Sequence, residues 1–121
     1  DIGIAVDVTP AHDYPCDLTG SNAIGEGIGI KVADPSVLCD EDVVAAMEQC
    51  CRHKDIPFQY EVMNGTTGTN ADRFSVNRCG SRAVTLSIPL RYMHTPAEVI
   101  DAEDVILTAK LITAFLKEGA I

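Results

Sequence analysis

The 121-residue sequence predicts an α/β fold with a largely parallel sheet and flanking helices. Runs of β-branched and apolar residues alternate along the chain with stretches whose apolar residues recur at helical spacing. The first of these runs has small or apolar residues on both faces, which is typical of a strand in a parallel sheet. Apolar residues make up 46% of the chain, enough to form a hydrophobic core.

Four segments are predicted to be strands, and the first is expected to be buried on both sides. They span residues 2–9, 28–33, 58–63 and 83–88. A long loop rich in Pro and Gly follows the first strand, a turn rich in Gly and Thr follows the third, and a polar loop follows the fourth. These connections cover residues 10–26, 65–69 and 89–99.

Three helices are predicted among these strands. The first begins at the N-cap Asp40, with acidic residues in its first turn, and ends before Pro57. The second is short and covers about residues 70–79. The last is capped by Asp101, and we interpret the acidic pair at 103 and 104 as helix-end electrostatics. Its apolar face is predicted on Val105, Ala109, Ile112, Phe115 and Leu116.

Composition excludes two classes of partner. The chain has 18 acidic and 9 basic residues, so a phosphate backbone would be repelled and no nucleic-acid partner is expected. No apolar run approaches the roughly 20 residues of a membrane helix, and no leader is visible, so no membrane partner is expected. The five cysteines lack metal-ligand spacing. Reduced thiols in a cytoplasmic protein are therefore the simplest interpretation.

Two polar residues stand where α/β sheets bind ligands, beyond the carboxyl ends of strands. Asp7 lies near the end of the first strand, and His94 lies in the loop after the fourth. Carboxylate and imidazole are suitable ligands for Zn²⁺ and similar divalent ions. From these residues alone two alternatives stay open: Asp7 caps nearby backbone N–H groups, and His94 is an exposed loop histidine.

Three sequence segments, two of which contain Asp7 and His94, give further evidence of function. They are AVDVT at residues 5–9, GTTGTNA at 65–71 and SIPLRYMHTPAEV at 87–99. Together they resemble the C-terminal part of the dinuclear-metal aminopeptidases that assemble as tetrahedral dodecamers. That family includes glutamyl aminopeptidases and members labelled endoglucanase. The resemblance covers the chain from Asp1 to about Leu116, and RYMHTP is its most specific part.

The resemblance implies a metal-dependent aminopeptidase that removes N-terminal residues from peptides. It implies two divalent metal ions, zinc or cobalt, with Asp7 a ligand of one and His94 a ligand of the other. Paired ions can activate a water and polarise the substrate carbonyl. It also implies a homo-oligomer, the dodecamer.

Several parts of the family's site have no counterpart here. Another His, a bridging carboxylate and an adjacent Glu–Glu pair precede the family's equivalent of the first strand. The first Glu of that pair is the general base, which is therefore expected upstream of Asp1, with no catalytic residue in this chain. Residues 1–121 are accordingly expected to be the C-terminal portion of a metallo-aminopeptidase catalytic domain, a zinc-peptidase-like α/β/α domain.

The turn before the second helix departs from the family pattern. Many members have Gly-Gly-Thr-Asp-Ala-Gly where this chain has TGTNAD at residues 67–72. Because the family's turn lies near the substrate side chain, Asn70 and Asp72 are candidate substrate-pocket residues. The alternative is that Asn70 only caps the short helix.

Two other functions remain as alternatives. One is an endoglucanase-type glycoside hydrolase, although glycosidases use two opposed carboxylates and no such pair is visible. The other is a catalytically inert fragment that serves folding or assembly, because the missing base and bridging ligand act with the metals as one unit.

Overall fold

A computed structural model describes residues 1–15, 17, 19–65 and 68–118, which form one sheet flanked by helices. Its strands are β1 (Ile2–Pro10), β2 (Ile28–Ala33), β3 (Phe58–Val62), β4 (Arg82–Arg91) and β5 (Val99–Ile100). Its helices are α1 (Glu41–His53), α2 (Asn70–Val76) and α3 (Ala102–Glu118). The predicted α/β class is confirmed.

The strand order is β1-β4-β2-β3, and β5 also pairs with β4. The β1–β4 and β2–β3 pairs are parallel, and they contain most of the paired residues. The β2–β4 and β4–β5 pairs are antiparallel, so the sheet is mixed. In the β1–β4 register, Asp7 lies beside Ser87.

The two faces of the sheet are covered differently. Helices α1 and α3 pack on one face, where large side chains form the main core. That core includes Ile28, Ile30, Val43, Met47, Cys50, Cys51, Val84, Leu86, Leu107, Leu111 and Phe115. On the other face α2 packs Ala71 and Phe74 against Ala5 and Ala83. Each large apolar side chain buried in the main core contributes about 1.5–3 kcal/mol.

The prediction that the first strand is buried on both sides is wrong for the described residues. Strand β1 is the edge of the sheet and pairs only with β4. Val6 is 50% exposed and Val8 is 42% exposed. Both side chains lie on the face of the sheet that carries α1 and α3, the same face as Ile4.

The segment carrying His94 is more regular than predicted. Strand β4 continues through Pro89 to Arg91 instead of ending at residue 88. Pairing explains the extension, since Leu90 and Arg91 bond to the short strand β5, inside the region predicted to be a polar loop. The loop that holds His94 is therefore a seven-residue connection, 92–98, between two paired strands.

The first two helices are close to expectation. Asp40 is the N-cap of α1, and its carboxylate accepts from Val43 N at 3.0 Å. Helix α2 ends at Val76, a little earlier than predicted. The alternative role for Asn70 is wrong, because the N-cap of α2 is Thr69.

The apolar face predicted for the last helix is largely wrong. Asp101 does cap α3, accepting from Glu103 N at 2.8 Å. Of the predicted face only Phe115 is buried, and Leu116 is 69% exposed. The buried stripe contains Asp104, whose two oxygens accept from Gly25 N and Gly27 N. The buried residues of α3 are Asp104, Leu107, Thr108, Leu111, Ala114 and Phe115.

Four cysteines fall within the described residues, and all are free thiols. Cys39, Cys50 and Cys51 are buried and Cys79 is exposed, while Cys16 lies outside the described residues. Burial raises the pKa of the Cys51 thiol to about 12, which keeps it protonated and unreactive. No helix in the described part of the chain is long and apolar enough to cross a membrane.

Candidate metal centre

Asp7 and His94, far apart in sequence, line one cavity of about 350 Å³. The cavity lies at the carboxyl end of β1, between the turn before α2 and the loop after β4. Its lining also includes Thr9, Met63 and Thr69. The position agrees with the general rule that α/β sheets bind ligands beyond the carboxyl ends of their strands.

Strand geometry directs Asp7 toward this cavity. Because side chains alternate along a strand, Asp7 shares a face with Ala5, on the side of the sheet that carries α2. One carboxylate oxygen, Oδ1, accepts from Val8 N at 2.8 Å, which fixes the side chain. Within the described residues Oδ2 has no hydrogen-bond partner, so it is available to a ligand.

His94 stands in a strained turn. Its φ is +63° and that of Tyr92 is +62°, a left-handed conformation that costs a non-glycine residue of order 1–3 kcal/mol. Local bonds hold the turn: His94 N donates to Glu98 Oε1 at 2.7 Å, and Thr95 Oγ1 donates to the Tyr92 carbonyl at 2.6 Å. No described residue bonds to the ring nitrogens of His94, which remain available as ligand atoms.

A charged pair joins the His94 turn to the loop after β1. Arg91 Nε donates to Asp13 Oδ1 at 2.7 Å, and Ile24 N donates to the other oxygen of Asp13 at 2.8 Å. The Arg91 guanidinium holds the pKa of the Asp13 carboxyl below its usual value. Asp13 therefore stays ionised near neutral pH and tethers the strand end from which the His94 turn begins.

The donor set fits part of a metal site. One carboxylate and one imidazole line the same cavity with ligand atoms available. Across the described residues no group of three or more His, Cys, Asp or Glu side chains is placed to hold an ion. A catalytic zinc normally takes three protein ligands. The residues described here therefore fit two positions of a larger shell.

The two candidate pocket residues lie outside this lining. Asn70 is exposed, and Asp72 is half-buried on α2. Thr69, which does line the cavity, places its Oγ1 at 3.4 Å from Asp72 Oδ1. Asp72 is thus connected to the cavity through the side chain of Thr69.

A buried polar cluster on the same face of the sheet escaped the sequence analysis. The carboxylate of Glu61 accepts from Thr9 Oγ1 and Ser87 Oγ. Lys31 Nζ lies 4.0 Å from Glu61 and 3.0 Å from Asp34 Oδ2. A signal was present in the sequence, since Lys31 interrupts a short apolar strand, where a buried lysine requires acidic partners.

A second, smaller cavity of about 210 Å³ shares Thr9 and Met63 with the first. It lies between the loops that follow β1 and β3. Its lining includes Asn22, which is 3% exposed and whose Oδ1 has no hydrogen-bond partner in the described part of the protein. A buried acceptor of this kind is normally satisfied by water or a ligand.

Comparison with known proteins gives matches over most of the chain. A family model described as M42 glutamyl aminopeptidase matches residues 1–111. A lysyl aminopeptidase of Pyrococcus furiosus is 35% identical over 118 residues, which are 98% of this chain and 33% of that protein. The chain therefore spans about a third of the length of this relative.

Solved structures of peptidases also match this chain over nearly its whole length. An aminopeptidase from the archaeon Desulfurococcus kamchatkensis superposes with a TM-score of 0.92 at 34% identity, covering 98% of this chain and 34% of that one. The TET1 peptidase of Pyrococcus horikoshii, which can assemble into a tetrahedron or a large octahedral shell, gives 0.74 at 26% identity. That match covers 93% of this chain and 32% of the TET1 chain.

Proposed function

The chain belongs to the M42 glutamyl aminopeptidase family, and we propose that it supplies Asp7 and His94 to the dinuclear metal site of an aminopeptidase. The observation that carries the proposal is their shared cavity. Oδ2 of Asp7 and the ring nitrogens of His94 have no partner among the described residues, as ligand atoms require. Zinc and cobalt suit this carboxylate–imidazole pair.

The reaction is hydrolysis of the amide bond that follows the N-terminal residue of a peptide. When bound, two divalent ions activate water and polarise the scissile carbonyl. Asp7 contributes negative charge at a position fixed by the Val8 N–H. The Glu98 and Arg91 contacts hold the His94 turn in its left-handed conformation, so its imidazole is oriented before substrate binds. The general base and the remaining ligands belong to other residues of the intact protein.

Substrate preference is assigned to the turn beside the cavity. Thr69 lines the cavity and contacts Asp72. We assign Asn70 and Asp72 an indirect influence on the N-terminal side chain of the substrate, acting through this turn. Exchanging both residues for the family's Asp and Gly should change relative kcat/KM among aminoacyl substrates more than it changes metal content.

The assembly proposed for the intact protein is a homo-oligomer of the tetrahedral, dodecameric type, acting in the cytoplasm. The TET1 peptidase, a structural neighbour of this chain, can assemble into a tetrahedron. Residues 1–121 then form the C-terminal portion of each subunit's catalytic domain. Size-exclusion chromatography with light scattering on the intact protein measures this state directly.

The glycoside hydrolase alternative lacks support in the cavity. Glycosidases of the common type need two carboxylates across the scissile bond. Among the described residues, Asp7 is the only acidic side chain in the lining. Assays of the intact protein on a cellulosic polymer and on an aminoacyl anilide, each with and without chelator, separate the two activities.

Substitution of the two proposed ligands tests the function. In the intact protein, Asp7→Ala and His94→Ala should each lower bound metal per subunit and reduce anilide hydrolysis by at least about 100-fold. His53→Ala, at an exposed histidine, is the matched control and should change neither quantity. Full activity and full metal content in both ligand variants would exclude the assignment. Turnover by the isolated 121-residue chain would show that the missing groups are unnecessary.

A further inference from the structure

The buried carboxylate of Glu61 contacts two neighbours of Asp7, one on the same strand and one on the adjacent strand. Thr9 follows Asp7 by two positions on β1, so both side chains lie on the same face of the sheet. Ser87 is the register partner of Asp7 on β4. Glu61 accepts from the hydroxyls of both, and so links β1 and β4 beside Asp7.

Neighbouring residues leave room for this connection. Gly29 lies on β2 opposite Ser87 and presents no side chain to the shared face. A Cβ at position 29 would lie 3.2 Å from Ser87 Cβ and 3.1 Å from the Ser87 carbonyl oxygen. A larger residue at position 29 would therefore press on Ser87, whereas glycine leaves the Ser87 side chain free to contact Glu61.

Stability alone is a poor explanation for this cluster. Glu61 is 0% exposed and Lys31 is 1% exposed, and removing such charges from water costs several kcal/mol per ion. Well-packed apolar residues at such positions are often as stabilising or more so. What the carboxylate provides, and an apolar side chain cannot, is directed hydrogen bonds to two chosen hydroxyls.

We propose that Glu61 is a positioning residue for Asp7: by holding Thr9 and Ser87 it sets the direction in which Asp7 presents its free oxygen to the metal. The inference rests on the proposed function, because it concerns the metal affinity of the same cavity. Partners that orient metal ligands typically affect affinity by about 10–100-fold.

Two variants of Glu61 distinguish an effect of side-chain length from an effect of side-chain charge. Glu61→Asp keeps the negative charge but is one methylene shorter, so it cannot bond both hydroxyls. Glu61→Gln keeps the reach, since its amide can accept from one hydroxyl and donate to the other. Asp104→Asn is the matched control: among the described residues this buried carboxylate of α3 accepts from the backbone N–H groups of Gly25 and Gly27 and makes no hydrogen bond to the Glu61 cluster.

The measurement is the dissociation constant for Zn²⁺ or Co²⁺ of the metal-free intact protein by titration calorimetry, together with its free energy of unfolding. All three variants should be less stable, but only Glu61→Asp should raise the dissociation constant, by about 10–100-fold. Unchanged affinity in Glu61→Asp would overturn the proposal. So would an equal loss in Glu61→Gln, because a variant that keeps its reach to both hydroxyls would then bind metal no better than a shortened one.

A second pair of variants applies if Glu61→Asp does not fold. Thr9→Val removes one hydroxyl bond to Glu61, and Thr108→Val removes a buried hydroxyl bond on α3 as its control. Thr9→Val should weaken metal binding and Thr108→Val should not; equal affinities would overturn the proposal. Asp7→Ala in the same titration distinguishes the failures. If Asp7→Ala weakens metal binding while Glu61→Asp and Thr9→Val do not, only the proposed role of Glu61 is wrong. If Asp7→Ala leaves metal binding unchanged, the proposed function is wrong as well.

Discussion

Replacing Arg91 by Ala should loosen the His94 turn while leaving both proposed ligands in place. Arg91 is the last residue of β4, and its Nε bonds Asp13 Oδ1 at 2.7 Å. A hydrogen bond between charged groups contributes about 1.5–3 kcal/mol. The Arg91 side chain is 34% exposed, so solvent screening reduces this to about 1 kcal/mol.

The same value of about 1 kcal/mol predicts how far Arg91→Ala lowers the affinity for metal. If about 1 kcal/mol of tethering no longer opposes the left-handed strain of the turn, the binding-competent fraction falls and metal affinity drops by at most about 5-fold. Arg82→Ala is the matched control, because Arg82 begins the same strand, is 33% exposed and bonds Asp40 at 2.9 Å. It should lower stability by a similar amount and leave metal affinity unchanged.

The assays are urea unfolding and metal titration of the intact protein at neutral and acidic pH. The folded-state pKa of Asp13 lies below its usual value, so its contribution is present above about pH 4 and is lost as pH falls through the folded pKa. Wild type and Arg91→Ala should therefore converge in stability at low pH. A stability difference independent of pH, or equal metal affinities in the two arginine variants, would refute the reasoning.

Three further predictions concern the fold. Gly29→Ala should cost about 1–3 kcal/mol in urea unfolding, because its methyl would press on the Ser87 carbonyl at 3.1 Å; an unchanged midpoint would contradict the packing. Asp104→Asn should also cost about 1–3 kcal/mol, because an amide cannot accept both N–H groups that the carboxylate accepts, and wild-type stability would show that those bonds are dispensable. Iodoacetamide at pH 8 should label exposed Cys79 in the native protein and spare Cys51, whose pKa is raised to about 12; mass spectrometry that finds both labelled equally would contradict this burial.

Local interactions made part of the fold predictable. Asp40 bonds an N–H three residues away, so its capping role is visible in a short stretch of sequence. Strands and helices with clear periodicity were found for the same reason. The sequence segments around Asp7 and His94, and their positions near the end of a strand and in the loop after one, predict both as site residues, and both line one cavity.

Long-range interactions account for what was missed. Asp104 occupies the buried stripe of α3 because its partners, Gly25 and Gly27, lie far back in the chain. Because Asp104 is polar, the helical spacing of apolar residues does not identify the buried face of α3. Glu61 was missed because its partners Thr9 and Ser87 come from two other strands, which meet it only after the sheet forms.

The central claim is that Asp7 and His94 ligate metal in one site. Anomalous diffraction from zinc-loaded crystals of the intact protein tests it most directly. We predict two ions about 3.5–4 Å apart, one bound by Asp7 and the other by His94, each at about 2.0–2.2 Å. Zinc bound at full occupancy with neither residue in contact would contradict the claim.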